Sequence, residues 1–408
     1  MQCGLLGQRL KHSYSPQIHS YLGEYSYSLY EKELEMLEDF LKIGDFTGLN
    51  VTIPYKKTVI PYLNDLSPIA QRLCAVNTIV RKADGSLIGH NTDYFGFQSM
   101  MSQSGLNPSC KKVLVLGTGG ASATVQAVLE ELGATVVVIS RNGKENYENL
   151  HRHNDAAIIV NATPVGMYPH NGESPVDLGL FPQLEGVLDL IYNPARTRLL
   201  LDAERRGLVS MNGLWMLVAQ AKESAEWFTG TEILDTKIAE IHRKIQLSME
   251  NIILIGMPGS GKSAIGRALR KKLAHRFVDA DTKIVKAAGK SIPEIFSEDG
   301  EAVFRQIEHN VLAQLGKESG QIIATGGGCV TCEENYEVLH QNGTIIWIQR
   351  SIDELPTQGR PLSQAGPLSD MYAKRHPLYA RFADFSIQNN GSIPDAAQKI
   401  LNILENKS

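Results

Sequence analysis

Apolar residues in this chain gather in short unbroken runs, separated by stretches where they return every three or four positions. The runs read "KKVLVLG", "TVVVIS", "AAIIVNAT" and "GVLDLIY", and after residue 250 "NIILIG", "HRFVDAD", "QIIATGGG" and "GTIIWI". Unbroken Val/Ile-rich runs predict strands buried on both faces, and the spaced pattern between them predicts amphipathic helices. Strands alternating with helices predict an α/β fold with parallel sheets and ligands at the carboxyl ends of the strands. Residues 234–251, "LDTKIAEIHRKIQLSMEN", predict a terminal helix and a short connector, with the main boundary near Ser248. Each side of that boundary has a strand followed at once by a glycine loop. The amino-terminal part divides again: residues 1–109 precede the first glycine loop, and 110–212 form a Rossmann dinucleotide-type domain. The helix "NGLWMLVAQAKESAEWF" then leads the chain back, so that about 213–247 complete the first domain, and 250–408 form a second α/β unit.

Length agrees with this division, since 408 residues exceed one ordinary core. A content of 43% hydrophobic and 21% charged residues excludes a disordered chain. The formal net charge of −4 provides no electrostatic basis for binding nucleic acid or an anionic membrane. The start, "MQCGLLGQRLKHSYS", has no signal-peptide core and no run is long enough to span a bilayer, so the expected location is the cytoplasm. Five scattered cysteines predict reduced thiols. Cys329 and Cys332 form a C-x-x-C without a second pair or a nearby histidine, which predicts two buried small residues rather than a metal site. Nothing in the sequence sets the oligomeric state.

The second glycine loop, "LIGMPGSGKS" at residues 254–263, fits G-x-x-x-x-G-K-[ST] in full. Gly256, Gly259, Ser260 and Gly261 let backbone N–H groups wrap an ATP phosphate chain, Lys262 reaches its outer phosphates, and Ser263 is placed for Mg²⁺. In "FVDAD", continued strand geometry would turn Asp279 and Asp281 to one face, one serving the metal and the other the acceptor hydroxyl. Asp281 also reads as the N-cap of the following helix. Phosphoryl transfer leaves the protein mainly positioning and charge neutralisation to perform, and an acidic acceptor needs arginines. Arg305, Arg360 and Arg375 are the candidates, each also readable as a solvated residue. "ATGGGCV" is a strand ending in three glycines, where a ligand can approach the backbone closely.

The P-loop, "DAD", "FR..E", "GGG", "RPL" and "R-x-P-L-Y" stand in the order and spacing of shikimate kinases, and residues 250–408 resemble that family throughout. The resemblance implies that Asp281, Arg305, Gly327 and Arg375 bind shikimate, with Asp281 and Lys262 catalytic. It implies that Ser263 holds Mg²⁺ with Asp279 contributing, and that Arg360 sits on a lid and contacts ATP. Many relatives carry an arginine before the lid, whereas none lies here between Arg350 and Arg360.

The first loop, "VLVLGTGGAS", supplies Gly117, Gly119 and Gly120 between a strand and a helix, with Ser122 at the third glycine position. A tight turn at a helix amino end suits a pyrophosphate. The next strand ends in Ser140 followed by Arg141, where an NAD enzyme usually places an acid. An arginine suits the 2′-phosphate of NADP. Upstream, Ser13 and Ser15 would face one way in an extended segment, as two hydroxyl donors for a carboxylate. Ketone reduction needs a proton donor beside the carbonyl, and Lys56 with Asp93 as its partner is the candidate pair. Read alone, Lys56 is more often a solvated loop lysine, and Asn77 and Asn91 are equally turn residues.

"HSYSPQIH", "NVTIPYK", "AVNT", "NTD", "GTGGAS", "NATPVGM", "DLIYNP" and "NGLWMLVAQA" follow one another as in shikimate dehydrogenases, so residues 1 to about 247 resemble that family. The resemblance assigns Ser13, Ser15, Thr52, Lys56, Asn77, Asp93, Tyr192 and Gln220 to shikimate, with Lys56 and Asp93 as the catalytic pair. It assigns Gly117, Thr118, Gly119, Gly120, Ala121, Arg141 and Gly213 to NADP. Trp215 stands where a small residue is common, beside the expected nicotinamide site. Together the two resemblances imply one chain that reduces 3-dehydroshikimate with NADPH and then phosphorylates shikimate with ATP and Mg²⁺. Three alternatives keep parts of this reading: a quinate substrate for the first unit, another small hydroxy acid for the kinase, or a regulatory protein that binds without turnover.

Overall fold

The computed structural model describes residues 1–10, 13–355 and 368–407. Compact packing divides them into two units, Met1–Tyr192 with Thr197–Ile245, and Asn193–Arg196 with Gln246–Ser408. Among the described residues no helix is long and apolar enough to cross a membrane.

The first unit holds two sheets. Strands β1 (Gln2–Gly7), β2 (Ser26–Glu31), β3 (Gly48–Val51), β4 (Asp65–Leu66), β5 (Thr78–Arg81) and β6 (Leu87–His90) lie in the order β2-β1-β3-β5-β6-β4. This sheet departs from the expected parallel pattern, because β5 runs antiparallel to both β3 and β6. The connection from β5 to β6 is a short turn through Gly85, too short for a crossover helix. The second sheet is parallel throughout: β7 (Lys112–Leu116), β8 (Thr135–Ile139), β9 (Ile158–Asn161), β10 (Gly186–Asp189) and β11 (Val209–Met211), in the order β11-β10-β9-β7-β8. Its apolar runs bury both faces. Val113 and Val115 of β7 pack with Val125, Val128 and Leu129 of the helix Gly120–Glu131. Leu114 and Leu116 pack on the opposite side with Phe181, Leu199 and Leu200. Burying each such side chain stabilises the fold by roughly 1.5–3 kcal/mol before entropy is counted.

The second unit repeats the principle. Strands β12 (Asn251–Ile255), β13 (Arg276–Asp279), β14 (Gln321–Ala324), β15 (Gly343–Gln349) and β16 (Phe385–Gln388) form a parallel sheet in the order β13-β14-β12-β15-β16. Ile253 and Ile255 face one core, Ile252 and Leu254 the other. In both parallel sheets the strand before the glycine loop is flanked by strands reached in opposite directions. That places each loop at a topological switch point, where the crevice for a ligand opens.

Three histidines, His19 and His90 buried and His242 half-buried, make the first unit acid-sensitive. Burial holds His19 down to about 3, and His90 and His242 to about 4. His19 is stacked on Tyr27 at 4.0 Å, with its Nε2 unpartnered. Each imidazole takes a proton in the unfolded chain below about 6.5 but stays neutral in the folded one, so stability is lost as pH falls from 6.5 toward 4. Asp189 opposes them: burial raises it to about 6, so it contributes stability as pH falls through that value. Burial also raises Glu223, so three imidazoles stand against two carboxyls, and the net loss between pH 7 and 5 is on the order of 3 kcal/mol. Thermal melts should show the first unit's transition moving down at pH 5; an unchanged or higher midpoint would exclude this account.

Candidate functional site

Each unit has a cleft at the carboxyl ends of its strands. The cleft of the first unit, about 250 Å³, is lined by Ser13, Ser15, Thr52, Lys56, Asn77, Asp93, Tyr192 and Gln220, together with Ala121 and Gly213. The segment 13–15 is not extended. Ser15 opens the helix Ser15–His19 with Pro16 in its first turn, and its backbone N–H donates to Ser13 Oγ at 3.2 Å. A helical start brings both hydroxyls to the cleft where strand geometry is absent.

Lys56 follows β3 through the turn Thr52–Tyr55, whose buried tyrosine donates its hydroxyl to the Lys32 carbonyl at 2.7 Å. Its own carbonyl accepts from the Val76 N–H at 2.8 Å. Asp93 begins the helix Asp93–Ser104, and its Oδ2 accepts from Lys56 Nζ at 2.5 Å. Their side chains are 20% and 10% exposed, so this ion pair is sheltered rather than solvated. Behind it lies a buried polar network. Asn77 Oδ1 accepts from the Thr92 N–H at 2.7 Å, and Asn77 Nδ2 donates to Thr92 Oγ1 at 3.0 Å. Ser224, from the helix Leu214–Thr229, bonds Thr92, Thr78 and Asn50 at 2.8–2.9 Å. The helix that carries Gln220 is thereby fastened to the first sheet. Asn50, which sequence reading passed over, also lines the cleft and accepts from the Tyr27 hydroxyl at 2.7 Å. The available signal was an amide flanked by Leu49 and Val51 in a buried strand. Burial pushes the Tyr192 hydroxyl up from its ordinary value, which keeps it a neutral donor.

The glycine turn adjoins this cleft. Gly117 has φ +98, a left-handed conformation that favours glycine, and Ser122 Oγ closes the turn by donating to the Gly117 carbonyl at 2.7 Å. Serine at the third glycine position therefore has a stitching role. Added Cβ atoms at Gly119 or Gly120 would meet nothing within 4 Å, so the backbone at the amino end of the helix is open to a ligand. Thr118 is exposed in the same turn, and Arg141 is exposed just past β8. Gly213 has a packing reason as well, because a Cβ there would lie 2.1 Å from the Leu190 carbonyl oxygen. Trp215 does not line the cleft: its indole N–H donates to Ser99 Oγ at 2.9 Å and its ring lies 5.3 Å from His242.

The cleft of the second unit, about 760 Å³, collects Gly259, Gly261, Lys262, Ser263, Asp279, Asp281, Arg305, Gly327 and Arg375. Gly261 has φ +100, and a Cβ there would lie 2.6 Å from Asn389 Nδ2. Buried Asn389 also donates to the Ser260 carbonyl at 2.7 Å and so clamps the loop from the end of β16, a second residue that sequence reading missed. Lys262 is buried, its Nζ donating to the carbonyls of Gly256 and Met257 at 2.7 and 3.0 Å. Asp279 and Asp281 do not share a strand face. β13 stops at Asp279, which is itself the N-cap of the helix Ala280–Ala288, and Asp281 stands in that helix's first turn. The capping role thus falls to Asp279, whose other oxygen accepts from Ser263 Oγ at 2.7 Å.

Arg375 Nη1 donates to the Gly327 carbonyl at 3.1 Å. Arg305 Nη1 donates to Glu308 Oε2 at 2.7 Å. Glu308, the acid of "FR..E" to which sequence reading gave no role of its own, is 1% exposed with its Oε1 unpartnered. Burial pushes its carboxyl above the ordinary value, opposed by the Arg305 guanidinium. Arg360 lies outside the described residues. All five cysteines are free thiols; Cys329 is buried as expected, whereas Cys332 is half-exposed, because it caps a 3₁₀ turn at the surface and donates to Glu334.

Residues 5–79 match the family model of the shikimate dehydrogenase substrate binding domain, and residues 258–405 match that of shikimate kinase. A shikimate dehydrogenase (NADP(+)) of Clostridium perfringens is 33% identical over 265 residues, covering 60% of this chain and 97% of that protein. Among solved structures, shikimate dehydrogenase 1 of Peptoclostridium difficile is similar with TM-score 0.56 and 36% identity, over 60% of this chain and 98% of the other. A shikimate 5-dehydrogenase of Thermus thermophilus in complex with NADP(H) and shikimate is similar with TM-score 0.55 and 33% identity, over 60% of this chain and 99% of the other. The chain belongs to the shikimate dehydrogenase family and carries a shikimate kinase domain behind it.

Proposed function

We propose that this chain is a bifunctional enzyme of the shikimate pathway, reducing 3-dehydroshikimate to shikimate and then phosphorylating shikimate at its 3-hydroxyl. The observation that carries the reading is the presence of two clefts in one chain, with the sheltered Lys56–Asp93 ion pair in one and the Lys262–Ser263–Asp279 constellation in the other. In the first site Ser13 and Ser15 bind the substrate carboxylate, while Thr52, Asn77, Tyr192 and Gln220 hold its hydroxyls. NADPH, when bound, supplies the hydride. The open turn Gly117–Ala121 and exposed Arg141 fit its pyrophosphate and 2′-phosphate. Lys56 Nζ gives its proton to the carbonyl oxygen, so that the C=O becomes a C–OH, and Asp93 keeps the ammonium aimed and charged.

In the second site Lys262 and the loop amides hold the ATP phosphates, and Arg305 and Arg375 hold the substrate carboxylate. Asp281 accepts the proton of the 3-hydroxyl as its oxygen takes the terminal phosphoryl group and ADP leaves. Ser263 and Asp279, hard oxygen donors 2.7 Å apart, fit Mg²⁺, which would neutralise phosphate charge there. Arg360 is assigned to ATP on the strength of its place in "GRPLS". Free thiols fit a reducing compartment, and the cytoplasm is the proposed location. Separate initial-rate assays test the reading: NADPH oxidation with 3-dehydroshikimate, and ADP formation with shikimate. Failure of either removes that half of it.

A further inference from the structure

Arg305 is held by two carboxylates of opposite character. Its guanidinium passes over Gly328, where a Cβ would lie 2.4 Å from Nη2, and the side chain is 15% exposed. Nη1 goes to Glu308, which is 1% exposed. Nε and Nη2, the planar edge suited to receive a carboxylate side-on, both donate to Glu301 Oε1, at 3.3 and 2.9 Å. Glu301 is 57% exposed, stands in the first turn of the helix Gly300–Lys317, and is not among the residues lining the cleft, whereas Arg305 and Glu308 are. Releasing Glu308 would strand a buried charge, so Nη1 is committed to it. A carboxylate received side-on needs the Nε–Nη2 edge, the one Glu301 occupies.

We infer that Glu301 is an affinity-setting residue of the kinase site, a resident carboxylate that competes with the carboxylate of the substrate for the side-on edge of Arg305. The inference rests on the kinase reading given above. Glu301 uses a single oxygen for both bonds and lies mostly in water, so its hold is partial and its effect on affinity is moderate. A plain helical pair at i and i+4 would instead contribute only to the stability of the helix.

The test measures phosphorylation of shikimate by the full chain and by Glu301→Ala and Glu301→Gln, with Glu298→Gln as a control. Glu298 is an exposed acid that pairs with Lys290 and does not touch Arg305. The KM for shikimate should fall roughly two- to fivefold in Glu301→Ala, and by less in Glu301→Gln, with kcat and the KM for ATP unchanged. An unchanged or raised KM would overturn the inference while leaving the kinase reading intact. So would an equal fall in Glu298→Gln, which would make the effect one of bulk charge. If the unaltered chain neither binds nor phosphorylates shikimate, the kinase reading and the inference fall together.

Discussion

Lys56→Ala lowers the rate of NADPH-dependent reduction of 3-dehydroshikimate by roughly 10²–10⁴, the range that a positioned proton donor supplies. Among the described residues nothing else that lines the first cleft offers an ammonium, and Asp93 is left without the cation it faces at 2.5 Å. Phosphorylation of added shikimate should stay within twofold of the unaltered chain, because among the described residues the two clefts share no lining residue. Lys56 is 20% exposed in a turn whose backbone is held by Thr52 and Val76, so its removal leaves the fold in place. A variant that is folded, inactive in reduction and active as a kinase is the expected result. A reduction rate within tenfold of the original would remove Lys56 from the proton-donating role.

Lys262→Ala has the opposite signature. In the structure Lys262 Nζ spans the loop by donating to the carbonyls of Gly256 and Met257, and Lys262 lines the second cleft. Its loss removes the charge that compensates the outer phosphates during transfer, and a fall in kcat of about 10³ is expected for such a preorganised donor. Some of the deficit should appear as weaker ATP binding, since the same contact exists before transfer. NADPH oxidation with 3-dehydroshikimate should be unaffected. If Lys262→Ala silenced both reactions in a folded protein, the assumption of two independent sites would be wrong.

The parallel sheets were legible because a strand buried on both faces has to be apolar at every position, as Val113 to Leu116 and Ile252 to Ile255 are. The first sheet was harder to read. Its edge strand β2 is largely exposed, β4 is two residues long, and the antiparallel β5 is joined to β6 by a turn rather than a helix. Glycine loops announce themselves through spacing, whereas the partners that brace them come from far along the chain. Asn389 clamps Ser260 from a different strand, and Ser224 reaches Thr78 and Thr92 from a distant helix. Such contacts leave no local pattern. The two misread segments, 13–15 and 279–281, share a cause: a helix begins inside each, and the change from a period of two to 3.6 redirects the side chains. Trp215, beside the expected nicotinamide site in the sequence, is engaged in the fold by Ser99 and His242, contacts that no local pattern announces.

The central claim is that one chain performs two consecutive reactions on one metabolite. The most direct measurement supplies the purified chain with 3-dehydroshikimate, NADPH, ATP and Mg²⁺, follows nicotinamide absorbance and identifies products by mass spectrometry. Consumption of NADPH with accumulation of shikimate 3-phosphate is the predicted result. Accumulation of unphosphorylated shikimate, or of no product at all, would contradict it.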